Sequence, residues 1–80
     1  MPLFEIVMPK TVDLDCTALK CPMPIVQIAT AIKKLQEGEE LSVVATDAAF
    51  LPDVRAWAEM TGHELVVVED GAVKRAVIRK

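Results

Sequence analysis

The residues best suited to chemistry in this chain are a cysteine and two prolines, in the stretch Cys21-Pro22-Met23-Pro24. Proline fits the first turn of a helix, where its missing N–H would have no partner, so the stretch predicts a rigid helix entrance. The positive end of a helix dipole lowers the pKa of a nearby thiol and so favours the thiolate. We therefore predict that Cys21 is a nucleophile, with Pro22 and Pro24 as its support. The alternative is a buried structural cysteine, but Cys21 follows the polar Lys20 and lies outside any apolar stripe.

Three charged side chains are candidates for the surroundings of this thiol. Asp15 and Asp47 follow two predicted strands, close to where helix N-termini converge in such a fold, and Lys20 precedes the cysteine. Aspartates at such positions more often cap turns or helices, and we favour that role. For Lys20, support of the thiolate and a solvated loop charge both remain open.

The second cysteine and the single histidine have weaker claims to function. Cys16 is either a resolving thiol for Cys21 or a small buried hydrophobe at a strand end, and we favour the buried residue. His63 is either a base or a half-exposed turn residue, and we favour the turn. Two cysteines and one histidine at no known zinc spacing do not close a four-ligand site. We expect neither a metal nor a cofactor.

The elements that must position Cys21 can be predicted from periodicity. A strand is expected over 11–15, followed by an amphipathic helix that ends near Gln36 with Gly38 as its stop. Further along we expect a strand over 41–46, a helix over about 50–61, and strands over 64–69 and 72–79. Asp70 and Gly71 suit a two-residue type I′ hairpin turn. The order is βαβαββ, and right-handed crossovers then give an α/β two-layer sandwich, a four-stranded mixed sheet with two helices on one face.

Length and composition favour one small domain without nucleic acid or membrane. The chain has 80 residues, 52% of them hydrophobic, and a net charge of −3 with no basic stripe, which disfavours phosphate binding. We divide it into an N-terminal extension, 1–10, and a single domain, 11–80. The extension is too short to span a membrane and lacks the features of a secretory signal, so we expect a cytoplasmic protein with free thiols. Within it, 3–7 could form a short added strand, but Pro2 and Pro9 favour a loosely held segment.

Beyond the prolines, a longer set of spaced residues resembles the TusA/SirA-like sulfur-carrier family, over residues 12 to 79. The matching motifs are Leu14-Asp15, Leu19, Cys21-Pro22-x-Pro24, Leu35-x-x-Gly38, Leu41-x-Val43, Thr46-Asp47 and Gly62-His63-x-Leu65. The family usually has glycine where this chain has Ala18 and proline where it has Ala48. These departures leave the thiol in place and bear on the identity of the partner.

The resemblance implies the sandwich predicted above and a persulfide on Cys21. Family members accept sulfane sulfur from a cysteine desulfurase or a rhodanese-type protein and pass it to a downstream acceptor protein. The routes served are tRNA thiolation, molybdenum cofactor synthesis and sulfur oxidation.

Size also favours a carrier over an enzyme with a free substrate. A domain of this length has little room for a ligand pocket, so we expect sulfur transfer by protein–protein docking. The alternative is a non-catalytic regulatory or redox-sensing module that binds a protein. Such a module has no evident need for two prolines that fix a helix entrance at a cysteine. RNA binding is opposed by the acidic balance and the missing aromatic platform.

Overall fold

The computed structural model describes residues 11–20 and 23–80. Its elements are β1 (Thr11–Cys16), α1 (Met23–Ile32), β2 (Glu40–Ala45), α2 (Phe50–Thr61), β3 (Glu64–Glu69) and β4 (Lys74–Arg79). This is the predicted βαβαββ order. The N-terminal extension, with its alternative strand over 3–7, lies outside the described residues, as do Cys21 and Pro22. No helix in the described part is long and apolar enough to cross a membrane.

The four strands form one mixed sheet in the order β1-β2-β4-β3. β1 and β2 are parallel, and their register ends with Cys16 opposite Ala45. β4 runs antiparallel to both of its neighbours. Because β1 and β2 are parallel, their carboxyl ends lie at the same edge of the sheet, where the loops into α1 and α2 both begin.

Both helices pack against one face of this sheet, as predicted. Alternate residues of β2 are fully buried there, and they meet Ile28 and Ile32 of α1 and Phe50 and Val54 of α2. The strand residues of this core are Cys16, Leu41, Val43, Ala45, Ala76 and Ile78. Side chains alternate across a strand, so a period of two in β2 and a helical period in α1 and α2 fill one layer of apolar contacts.

The opposite face of the sheet carries the buried Val77 and, on either side of it, two arginines that are paired with carboxylates. Arg79 contacts Glu40 at 2.9 Å and Glu64 at 3.0 Å. Arg75 contacts Glu69 at 3.1 Å and donates to the Ser42 hydroxyl at 3.3 Å. Hydrogen bonding to Glu40 and the nearby Glu64 raise the pKa of Arg79. These two guanidinium groups are therefore paired with carboxylates of neighbouring strands.

The first helix ends earlier than predicted. It stops at Ile32, four residues before Gln36, and two tighter turns follow in which Lys34 and Leu35 donate to Ala31 and Ile32. This tightening turns Leu35 into the core, where it is 7% exposed. Gly38 does adopt a positive φ of 89°, but it does so in a later turn, where its own N–H donates to the Lys80 carbonyl. The prediction of Gly38 as the helix stop was therefore wrong.

The predicted type I′ turn at Asp70-Gly71 was also wrong. Such a turn needs positive φ at both central residues, and among the described residues only Gly38 and Gly62 have it. A four-residue loop, 70–73, joins β3 to β4 instead. The Lys74 ammonium group stabilises this wider loop by donating to the Gly71 carbonyl at 2.9 Å and lying 3.6 Å from Asp70.

Candidate functional site

The loop that leads from β1 toward Cys21 is fixed by a local turn. The Asp15 carboxylate oxygen Oδ1 accepts the backbone N–H of Thr17 at 2.9 Å and the Thr17 hydroxyl at 2.7 Å. These bonds lower the pKa of Asp15, the side-chain bond contributing most. Two residues on, the N–H of Leu19 donates to the Cys16 carbonyl at 3.0 Å. An aspartate that bonds the backbone two residues ahead forms a turn in place of a further strand residue.

The residues on either side of positions 21 and 22 are joined by a backbone hydrogen bond. The N–H of Met23 donates to the carbonyl of Lys20 at 2.9 Å. Met23 begins α1, and Pro24, in the first turn of that helix, is fully buried. The described part of the motif is therefore anchored at the helix entrance that the prolines predicted. Cys21 itself and Pro22 stay predictions as site residues.

The second loop at this edge comes from β2 and carries Thr46 and Asp47. The Thr46 hydroxyl donates to the Thr17 carbonyl at 2.7 Å, across 29 residues of sequence. Asp47 Oδ1 accepts the N–H of Ala49 at 2.8 Å, and its carbonyl accepts the N–H of Phe50 at 3.1 Å. The fold therefore brings the ends of β1 and β2 together and links them by a side chain.

Of the three charged candidates, two form turns and one is exposed to solvent. The prediction that Asp15 and Asp47 form turns is confirmed by the backbone bonds that their carboxylates accept. Lys20 is exposed beside position 21. Ala18, where the family usually has glycine, occupies the same loop without a positive φ, so alanine fits this backbone without strain.

Cys16 is a core residue. Its side chain is 0% exposed and belongs to the cluster between the sheet and the helices. Burial, and then the neighbouring Asp15 carboxylate, raises the pKa of the Cys16 thiol. A buried, protonated thiol is a poor nucleophile, so the structure favours the packing role for Cys16 over that of a resolving thiol.

The histidine lies at the far edge of the sheet from this loop cluster. His63 follows Gly62, which ends α2 in a left-handed conformation, and its ring stacks on Trp57 with centroids 5.1 Å apart. It is half-buried next to Glu64, which pairs with Arg79. Arg79 also pairs with Glu40, at the opposite end of the strands from Cys16. The prediction of a half-exposed turn histidine is confirmed. Among residues 11–20 and 23–80, no cluster of His, Cys, Asp or Glu could hold a metal ion.

The two helix entrances at this edge differ in charge. α2 has Asp53 in its first turn, whereas the first turn of α1 contains no acidic residue. Each helix N-terminus carries about half a positive charge. At α2 the Asp53 carboxylate opposes that charge, whereas the first turn of α1 supplies no such carboxylate.

Two surface grooves lie beside the helices. One, of about 350 Å³, runs between β1 and the later turns of α1, and is lined by Val12, Leu14, Gln27, Thr30, Ala31, Lys34 and Leu35. The other, of about 260 Å³, lies between the helices and is lined by Ile25, Asp53, Ala56, Trp57 and Met60. The first is larger than the sequence led us to expect, but none of its lining residues belongs to the loops at the motif.

Sequence reasoning missed the two threonines that fix the loop. Thr17 was not singled out at all, and Thr46 entered only as part of a motif. The spacing Asp15-x-Thr17 is itself a turn signal, because an aspartate commonly bonds the backbone two residues ahead. The bond from Thr46 to Thr17 has no such signal, since it depends on the register of two strands far apart in sequence.

The fold is a small βαβαββ α/β sandwich, and in the sequence Cys21 and Pro22 stand immediately before the first residue of α1, Met23. The sequence pattern of the family described as Sulfurtransferase TusA matches residues 12–80, so the chain belongs to this family. The resemblance found in the motifs is thereby confirmed.

Relatives in bacteria and archaea support the assignment. YrkF of Bacillus subtilis, named as a candidate sulfur carrier protein, is 43% identical over 74 residues, which is 91% of this chain and 40% of YrkF. A candidate sulfur carrier protein of Halobacterium salinarum is 47% identical over 62 residues, 76% of each chain. One from Aquifex aeolicus is 39% identical over 56 residues, 70% of this chain and 28% of its own length. The chain thus spans less than half of two of these relatives.

Proposed function

We propose that this protein is a sulfur carrier that holds sulfane sulfur as a persulfide on Cys21 and passes it to an acceptor protein. The observation that carries the proposal is the family match over 12–80, in a chain whose Cys21 stands two residues before the start of α1 in the sequence. Two features of the described residues support it. The Lys20–Met23 bond fixes both flanks of the motif, and the first turn of α1 has no acid to oppose a thiolate.

The transfer balances without an outside oxidant. The Cys21 thiolate attacks the outer sulfur of a donor cysteine persulfide, forming a new S–S bond on Cys21. The donor S–S bond breaks, and the donor cysteine leaves as a thiolate. At the acceptor the same exchange runs in the other direction, so that the acceptor thiolate takes the outer sulfur and Cys21 departs as a thiolate.

The donor is a cysteine desulfurase or a rhodanese-type protein, and the acceptor is a further carrier or thiolation enzyme. The relatives are named as candidate sulfur carrier proteins, which supports a carrier role with a donor and an acceptor. Tetrahedral metal sites and deep ligand cavities play no part in the scheme, since each partner supplies its own active site. We propose that the relay works in the cytoplasm, where thiols stay reduced. It would supply sulfur for tRNA thiolation or molybdenum cofactor synthesis, or take part in sulfur oxidation.

Intact mass spectrometry tests the proposal. The protein is incubated with a cysteine desulfurase and cysteine, and we expect a gain of one sulfur atom that disappears with reductant. Cys21→Ala should gain none, whereas Cys16→Ala, the matched control, should load like the wild type. A wild-type chain that never gains sulfur, from either a desulfurase or a rhodanese-type donor, would leave a regulatory or redox-sensing module as the better account.

A further inference from the structure

One hydrogen bond at the motif edge comes from outside the local chain. The last backbone pair between β1 and β2 joins Cys16 to Ala45. One residue beyond it on each strand, the Thr46 hydroxyl donates to the Thr17 carbonyl at 2.7 Å. A side chain thus continues the link between the two strands at the point where the backbone ladder has stopped.

The other hydrogen bonds that the segment from Thr17 to Lys20 makes with described residues are local. Asp15 holds the N–H and hydroxyl of Thr17, Leu19 bonds Cys16, and Lys20 bonds Met23. Each of these joins residues no more than three positions apart. They define the shape of the loop without tying it to the rest of the domain.

Within the described part of the chain, Thr46 therefore ties this loop to the end of β2 by a side-chain hydrogen bond. Leu19 adds packing, since it is half-buried against the core. Packing is non-directional, however, whereas a hydroxyl-to-carbonyl bond at 2.7 Å fixes distance and direction. The loop ends at Lys20, the residue before Cys21 in the sequence.

We propose that Thr46 is a positioning residue for Cys21, acting through the carbonyl of Thr17. This inference rests on the proposed function, because it concerns the reactivity of the same thiol. The Thr46–Thr17 bond holds the loop that ends at Lys20, and the Lys20 carbonyl accepts the N–H of Met23, the first residue of α1. We expect the loop to shift when the hydroxyl is removed, so that the positive end of α1 stabilises a Cys21 thiolate less well.

The test compares three substitutions of threonine. Thr46→Val keeps the shape and removes the hydroxyl, and Thr46→Ser keeps the hydroxyl. Thr61→Val is the matched control, because the Thr61 hydroxyl donates to the Trp57 carbonyl at the same 2.7 Å, at the end of α2 remote from the motif. Thr46→Ala serves in place of Thr46→Val if the valine variant folds poorly.

Two readouts are taken on each variant: the pH midpoint for alkylation of Cys21 by iodoacetamide, located by mass spectrometry, and the rate of sulfur loading from a cysteine desulfurase. For Thr46→Val we expect a higher midpoint and loading slower by about threefold to tenfold, the range that one lost hydrogen bond gives. Thr46→Ser should stay within about twofold of wild type, and Thr61→Val should keep the wild-type midpoint. A general loss of stability would not move that midpoint.

Two results would overturn the positioning role. One is a wild-type alkylation midpoint in Thr46→Val, and the other is an equal shift in Thr61→Val. The proposed function would survive both, since it depends on loading by the wild type and its loss in Cys21→Ala. Conversely, a wild-type chain that accepts no sulfur would sink the carrier proposal, while the alkylation midpoints would still decide the role of Thr46.

Discussion

The entrances of the two helices lie at the same edge of the sheet and are built differently. α2 begins with Phe50, which is 0% exposed, and its fourth residue is Asp53. α1 begins with Met23, which is 43% exposed, and its fourth residue is Val26. One helix thus begins with a buried ring and carries an acid in its first turn, whereas the other begins with a partly exposed side chain and has no acid there.

This difference assigns a stabilising role to the entrance of α2 and a chemical role to the entrance of α1. At α2 the positive end of the helix is met by Asp53 within the first turn, and Asp47 forms the preceding turn. Those carboxylates stabilise the helix. At α1 the same kind of field has no acidic side chain in the first turn to oppose it. The first turn of α1 therefore contains no acid that would oppose a thiolate at Cys21, which stands two residues before the helix in the sequence.

The largest effect is expected from truncating the first residue of each helix. Phe50→Ala should lower the free energy of unfolding by about 3–5 kcal/mol, because it removes a fully buried ring. Met23→Ala should cost about 1 kcal/mol or less, since Met23 is only partly covered, with 43% of its surface exposed. Chemical denaturation measures both values. Equal costs for the two variants would contradict the division between a buried and a partly exposed entrance.

A smaller effect is expected from exchanging the charge of the two entrances. Val26→Asp places an acid where α2 has Asp53 and should raise the pKa of the Cys21 thiol. The thiolate fraction near neutral pH, and with it the alkylation rate, should fall about twofold to fivefold. Val26→Asn is the neutral control and should alkylate like the wild type.

The reciprocal variant sharpens the same comparison. Asp53→Asn should lower the free energy of unfolding by about 0.3–1 kcal/mol while leaving the alkylation of Cys21 unchanged. If Asp53→Asn changed the alkylation rate of Cys21 as strongly as Val26→Asp, a charge at either helix would act on the thiol. The assignment of a structural role to the α2 entrance and a chemical role to the α1 entrance would then be wrong.

The smallest effect is expected at alkaline pH, at the buried cysteine. Burial raises the folded-state pKa of Cys16 above its ordinary value of 9.0, so ionisation favours the unfolded chain. The stability linked to this thiol is complete below about pH 9 and is lost as the pH rises through the folded-state pKa. The melting temperature, measured between pH 8 and about pH 10.5, should therefore fall less steeply with pH in Cys16→Ala than in the wild type. Parallel curves for the two proteins would place Cys16 outside the core.

Much of the fold follows from patterns within single segments. The helical spacing of apolar residues after Pro24 and the β-branched run after Glu40 predicted α1 and β2, and Gly62 marked the end of α2. Phe50–Thr61 and Glu64–Glu69 agree with prediction at both ends. Local periodicity suffices there because each element is amphipathic or apolar over its whole length.

What the sequence did not predict depends on contacts between distant segments. The early end of α1 comes with the burial of Leu35 and with Lys80, whose backbone bonds Glu39 and whose ammonium group bonds the Leu35 carbonyl. The bond from Thr46 to Thr17 likewise depends on strand register. A short motif predicts the residue types of a site, but the long-range hydrogen bonds around it depend on the tertiary fold.

Tryptic mapping of the loaded wild-type protein tests the central claim most directly, because Lys20 separates the two cysteines. Cleavage after lysine places Cys16 in the peptide 11–20 and Cys21 in the peptide 21–33. After loading by a desulfurase and alkylation of the persulfide, we expect the added sulfur only in the peptide 21–33. Sulfur recovered in the peptide 11–20, or in neither peptide, would contradict the account.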